Sequence, residues 1–582
     1  MRPLLYLFCI SLLCQCAAKH QPIVFAPYFS TGPQAAFTTA ILEERRILEA
    51  KVEPTALEKK RLLEIYYLEL ASTKPQLPRY DWVTRTSARL AAGIKAVEDD
   101  LAKVQRESRD EKEEKPSLGA GAATIETPEL KQLYRKVYTL WNADSNDEAR
   151  AALAPSLMNL ELKAKVSAVE WYKLLSLDMR IALDTGDLTG AEARYSQMVA
   201  QSDCATETAD AGFALAFHYF GSDNPGKALS ILENQCEPPT QGAFAARKRY
   251  WLSRFAGPQS PSGQEFREEA RQVWLPGYYQ LLSRGQLKES LELILPTGEA
   301  PPGYFKNPIS VSPRIHSLWL SAEIRLANGL KRDAGVFLHR AAYLLKEGSP
   351  KDNLFALLYT AHLLHAAGSH LEALRIYSVV FEEVQKTRGL RDVSPQDFAS
   401  VMFPRPYPER VEWVARQWNV DPDLIYALMR QESAFNPMAT SAVDARGLMQ
   451  LMPFVARALA SRWRYERYYS DKTLFQADEN LKLAAFHLHQ LHRYVPHVAL
   501  MAAAYNAGYA RVYRWWRRNG HMPLDVFIEL IPIQETRNYV KLVLRNYLYY
   551  RAIRGGGKTD TDILTTPLPP VPSEPDASAI IG

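Results

Sequence analysis

Cysteine is scarce in this chain. Five occur in 582 residues, and three of them (Cys9, Cys14 and Cys16) lie within the first sixteen positions. Only Cys204 and Cys236 remain for the body, too few for a disulfide-built framework. A single bridge between those two and a pair of buried free thiols are both open readings. Neither cysteine stands at metal-ligand spacing to a histidine, so no metal site is expected, and no cofactor. Excess charge is also in short supply. A net charge of +5 does not suit a strongly basic nucleic-acid binder, and none is inferred. Beyond the N-terminus no apolar run is long enough to cross a bilayer. What is present, 47% hydrophobic and 23% charged residues, is ordinary for soluble globular protein. The length suggests roughly three to five domains. The positive charge is concentrated: residues 405–554 hold 21 Lys/Arg against 13 Asp/Glu, which leaves the remainder slightly acidic. That imbalance suggests an anionic partner for the C-terminal part.

The N-terminus, MRPLLYLFCISLLCQCAAKH, reads as a secretory signal over residues 1–18, with one Arg before a short apolar run. Two processing outcomes are open. Cleavage after Ala18 would release a soluble protein. The stretch Leu13-Cys14-Gln15-Cys16 alternatively resembles a bacterial lipobox, which would put a lipid on Cys16 and the protein on the outer membrane. Either outcome carries the chain out of the cytoplasm and into the periplasm.

Residues 19–124 form a charged region, helical from Ala35 to about Lys115, that ends in a linker rich in charge, Gly and Ala. From 125 to about 400 the pattern is helix pairs without strands. WYKLLSLDMRIALDTGDLTGAEARYSQMVAQ, YYQLLSRGQLKESLELIL and LLYTAHLLHAAGSHLEALRIYSVVFEEV each predict an apolar helix, a Gly-containing turn and a second helix. This grammar resembles tetratricopeptide-like repeats, although no unit carries the full consensus. Pairs of that kind bury their faces by stacking, so an α-solenoid is expected, with a plain helical bundle as the alternative. The texture changes near Phe403. A compact helical domain is expected over 403–554, followed by a disordered tail over 555–582 that is rich in Gly, Pro, Thr and Ser.

One residue breaks the helical pattern. In DPDLIYALMRQESAFNP, Asp421 can cap a helix and Pro422 suits its first turn. Ile425, Leu428 and Met429 mark an apolar face, and the next position on that face is Glu432. Pro437 predicts that the helix ends near Asn436, which puts Glu432 in the last turn at the negative end of the dipole. Desolvation and that dipole both favour a neutral carboxyl. A carboxyl protonated near neutral pH can donate a proton to a leaving oxygen, as glycosidic cleavage requires. The bland alternative is a solvated glutamate or one paired with Arg430.

The surrounding motif decides between them. Glu432-Ser433, Ser441 and the run Gly447-Leu448-Met449-Gln450-Leu451-Met452-Pro453 resemble the signature of the lytic transglycosylases. These are peptidoglycan-cleaving relatives of goose-type lysozyme. Tyr505-Asn506-Ala507-Gly508 and Glu535-Thr536-Arg537 with Tyr539-Val540 match two further motifs in the family's order. The third motif is characteristic of the soluble branch, whose members carry an N-terminal α-superhelix. The resemblance therefore implies an all-α chain, with an N-terminal α-solenoid followed by a lysozyme-like catalytic domain. Departures are Asp444 where glycine is common, Tyr509-Ala510 for a usual Pro-Gly, and Ile533-Gln534 for a usual aromatic pair.

The resemblance also implies roles. Glu432 would protonate the oxygen between N-acetylmuramic acid and N-acetylglucosamine, then take the proton of the muramoyl C6 hydroxyl as it attacks C1. Tyr505 would stand near Glu432 and the N-acetyl group. Ser441, Gln450, Met452 and Asn506 would line the cleft, and Glu535, at a helix start, would bind sugar or organise the cleft. Partners would be peptidoglycan strands, with protein partners through the solenoid and a membrane through the N-terminal lipid. Two rivals are a lysozyme-type hydrolase using Asp444 to position water and a noncatalytic scaffold that binds the cell wall.

Overall fold

The computed structural model describes residues 23–25, 125–143, 145–201, 205–235, 243–257, 259–272, 276–293, 309–348, 352–386 and 401–572. The signal segment, the charged helical region, Cys204 and Cys236 lie outside them. Expectations about processing, lipidation and a disulfide therefore meet no structural observation.

Two compact units are present. One comprises residues 1–115, 294–407 and 433–437; the other comprises 116–293, 408–432 and 438–582. In the first unit, strand Ile23–Phe25 pairs antiparallel with Ile309–Val311, Ile23 opposite Val311. Helices Pro313–Ala327, Lys331–Lys346, Leu354–Ala366 and His370–Lys386 follow, each packed on the next. The expected Gly-containing turn joins the last two, with Gly368 at φ +78° where a side chain would be strained. Trp319 donates its indole N–H to Thr360 Oγ1 at 2.9 Å, which satisfies a buried polar group between two helices.

In the second unit, helices run in succession from Pro128–Asn142 to Tyr278–Gln286, each packed on its neighbour. Local capping sets their angles. Ser167 caps Ala168–Asp184 in a reciprocal box with Glu170. The Glu170 carboxylate also accepts the backbone N–H of Glu126 and of Thr127, each at 3.0 Å, pinning one helix start to another. The Thr127 amide leads the bonds that hold this carboxyl down at about 2.

Two expectations fail here. The predicted second helix after Tyr278–Gln286 is a short strand, Leu291–Glu292, paired antiparallel with Lys558–Thr559. Leu291 and Leu293 point inward on alternate positions, a period of two that the helix reading overlooked. The tail predicted from 555 as disordered is placed and packed as far as 572. Thr561, Leu564 and Leu568 are buried, and Thr561 Oγ1 donates to the Glu289 carbonyl at 2.6 Å. The segment's composition is too polar to build its own core, but it needs none when a neighbouring surface supplies one.

The C-terminal part of this unit is built around helix Gln534–Arg554, most of whose side chains are buried. Helices Val498–Ala507 and Leu524–Glu529 pack on it. Tyr550 stacks on Tyr426 with ring centres 5.3 Å apart, which brings in helix Pro422–Ser433.

Candidate active site

Helix Pro422–Ser433 begins as its sequence predicts: Asp421 Oδ1 accepts the Asp423 amide at 2.9 Å. It ends three residues before the predicted Asn436. Ala434 and Phe435 follow in left-handed backbone, at φ +46° and +68°, a strained exit for two residues with side chains. Glu432 is thus the penultimate helical residue, in the last turn as expected.

The Glu432 side chain is only partly exposed, and burial, the largest influence, raises its pKa from 4.5 to about 7. Two smaller influences oppose one another. Tyr539 donates its hydroxyl to Glu432 Oε1 at 2.5 Å, which favours the ionised form, while the charge of Glu535 favours the neutral one. Tyr505 lies close enough that the Glu432 charge, after burial, helps raise the phenol well above 10. Its hydroxyl donates to the Met449 carbonyl at 2.8 Å.

That bond ties Tyr505 to the 438–453 loop, whose shape is enforced by its sequence. Gly447 has φ +77°, and a Cβ there would sit 2.0 Å from the Leu474 carbonyl oxygen, so only glycine fits. Asn480 gives both Nδ2 bonds to the Arg446 and Leu474 carbonyls at 2.9 Å and accepts the Met449 amide at 2.8 Å. Ser441 Oγ accepts the amides of Val443 and Ala445 at 3.3 and 2.9 Å. Gln450 Nε2 donates to the carbonyls of Ala439 and Gly447 at 3.1 and 2.9 Å. Ser441 and Gln450 thus hold the loop together. Met452 is half-buried and precedes helix Pro453–Arg462.

Asn506 Oδ1 accepts the Thr536 hydroxyl at 2.6 Å, locking helix Val498–Ala507 to the first turn of Gln534–Arg554. Glu535 is exposed in that first turn, as its position predicts. Asp444 is exposed at φ +69° and is engaged by Arg446, whose Nε and Nη2 each lie 2.9 Å from a carboxylate oxygen.

The structure therefore brings together Glu432, Tyr505 and Glu535, and ties Gln450 to them through the loop. Among the described residues, Ser441 and Met452 make no hydrogen bond to the acid. Tyr539 was overlooked as a functional residue because its face reads as core. The signal was available: it lies four residues after Glu535, one turn along the same side of the helix.

Comparisons with known proteins bear on this segment. Residues 411–528 match the family model described as Transglycosylase SLT domain. A Haemophilus influenzae protein provisionally named a soluble lytic murein transglycosylase is 39% identical over 160 residues, 27% of either chain. The soluble lytic murein transglycosylase of Salmonella typhimurium is 34% identical over 161 residues, 27% of this chain and 25% of that one. The chain thus spans about a quarter of the length of the curated relatives it matches. Among solved structures, the 70 kDa soluble lytic transglycosylase of Escherichia coli matches with a TM-score of 0.53 at 18% identity. The match covers 92% of this chain and 78% of that one. The fold is accordingly all-α, a superhelical region followed by a lysozyme-like domain.

Proposed function

We propose that this chain is a peptidoglycan lytic transglycosylase and that Glu432 is its acid and base. One observation carries the proposal: a carboxyl at the end of a buried helix face, raised to about 7, with Tyr539 holding one of its oxygens. The Tyr539 hydroxyl occupies Oε1 as a donor, so the proton of the neutral acid belongs on Oε2, free to be given away. Given to the glycosidic oxygen, it lets the bond from that oxygen to C1 of the muramoyl sugar break. The carboxylate left behind takes the proton of the C6 hydroxyl, and O6 bonds to C1. No water is consumed and the carboxyl ends protonated.

Tyr505 stands near this acid with its hydroxyl held by the Met449 carbonyl, and it would meet the sugar that carries C1. Glu535 opposes ionisation of Glu432 by its charge and so helps keep the proton in place. Ser441, Gln450, Met452 and Asn506 shape the cleft for the glycan. The hydrolase reading is weaker because Asp444 is exposed and already paired with Arg446. The bacterial murein-cleaving relatives support a place in the periplasm. Glu432→Gln should keep the fold and the glycan affinity while lowering muropeptide release by roughly 10²–10⁴-fold. Release near the wild-type rate from purified peptidoglycan would reject Glu432.

A further inference from the structure

The C-terminal segment contains Pro567-Leu568-Pro569-Pro570-Val571-Pro572, four prolines in six residues. It forms neither helix nor ladder. Along it Pro567, Pro570 and Pro572 are exposed, Leu568 is buried, and Pro569 and Val571 are half-buried. A period of three belongs to the polyproline II helix, whose carbonyls at i and i+3 share a side. Two such carbonyls are captured here. Trp516 donates its indole N–H to the Pro569 carbonyl at 3.0 Å, and Tyr513 its hydroxyl to the Pro572 carbonyl at 3.0 Å. Tyr513 and Trp516 are themselves three apart on helix Tyr509–Asn519, so both donors project from one face. Trp516 is only 1% exposed.

We infer that the Tyr513/Trp516 face is a binding site for proline-rich segments in the polyproline II conformation, occupied by the chain's own residues 567–572. The chemistry is that of aromatic donors reading carbonyls on a strand that has no amide protons to spend at its prolines. Proline pre-sets the strand, so little conformational entropy is lost on docking. The occupant's own anchor points are Leu568 and the carbonyls of Pro569 and Pro572. Its tether runs through the strand pair Leu291–Glu292 with Lys558–Thr559, so the tail is held near the site before it docks.

The test uses the full-length chain with residues 567–572 replaced by six Gly/Ser residues, and a ten-residue peptide spanning Thr565 to Glu574 as probe. Calorimetry or tryptophan fluorescence should show the peptide binding the replaced-tail protein at least about tenfold more tightly than the wild type, whose site is filled. Trp516→Phe in the replaced-tail protein should weaken binding by roughly tenfold, as loss of one buried hydrogen bond predicts. A peptide with one Ala inserted between Pro570 and Val571 moves the second carbonyl off the shared side and should weaken binding similarly. No binding to the replaced-tail protein, or equal binding of the inserted peptide, would overturn the inference. Should the replaced-tail protein not fold, the coupling is read in the intact chain. Trp516→Phe and Leu568→Ala should be non-additive in melting temperature, and additive losses would overturn it equally.

Discussion

Glu432 is balanced between a buried site that favours its neutral form and a tyrosine that favours its charge. Activity requires the neutral acid at the start of each turnover, so the rate should fall as pH rises through about 7. Tyr539→Phe removes the influence that lowers the Glu432 pKa, and the alkaline limb of the pH–rate profile should move upward with it. A limb that stayed in place, or moved down, would show that Tyr539 does not act on the acid. Stability has the corresponding sign. The folded pKa lies above the unfolded one, so the carboxyl contributes stability below about 4.5 that is lost as pH rises through about 7. Glu432→Gln should therefore gain in melting temperature relative to wild type at pH 8 more than at pH 4. At Asp444 the expectation is a near-neutral change. Asp444→Asn gives up an exposed pair with Arg446, worth about 0–1 kcal/mol, and should retain most activity. Glu432 was legible in the sequence because a carboxylate on a hydrophobic stripe violates a strong pattern. Tyr539 carried a weaker signal, its spacing from Glu535, because a tyrosine on such a stripe violates nothing.

Helix Leu524–Glu529 shows what the elements owe to buried charge. Glu529 is 2% exposed and receives Arg247 at 2.8 Å, Lys541 at 2.9 Å, and the hydroxyl of Tyr279 at 2.7 Å. Burial alone would raise its pKa, but the cations around it hold it far below the usual range. Asp525 on the same helix accepts Tyr250 at 2.7 Å and Arg254 at 3.2 Å. Helices Ala243–Ala256 and Tyr278–Gln286 are thereby fastened to Gln534–Arg554, which carries Tyr539. Glu529→Ala would take a carboxylate partner from two buried cations and should cost about 3–5 kcal/mol in chemical denaturation. A loss below about 1 kcal/mol would show the cluster to be dispensable. None of this network could be read beforehand, since its directly bonded partners are up to 282 positions apart and have ordinary neighbours in sequence. The helices themselves were legible from apolar spacing and from turns such as Gly368. The strand Leu291–Glu292 was harder to read, because the alternation of Leu291 and Leu293 is too short to outweigh the helical pattern before it.

For the molecule as a whole, the helix-pair grammar foretold an α-solenoid and the motif resemblance implied a lysozyme-like domain, and the fold is of that kind. Composition misjudged residues 555–572: it reports what a segment can bury by itself, not what surface awaits it. In the proposed reaction the C6 hydroxyl belongs to the substrate itself, with an effective concentration of roughly 10⁵ M or more, far above that of bulk water. Purified peptidoglycan digested in ¹⁸O water should yield fragments ending in 1,6-anhydro-N-acetylmuramic acid. Mass spectrometry should find them one water lighter than hydrolysed counterparts, unlabelled, and unchanged by borohydride. Muramic ends that are reducible and carry ¹⁸O would instead show a hydrolase and contradict the account.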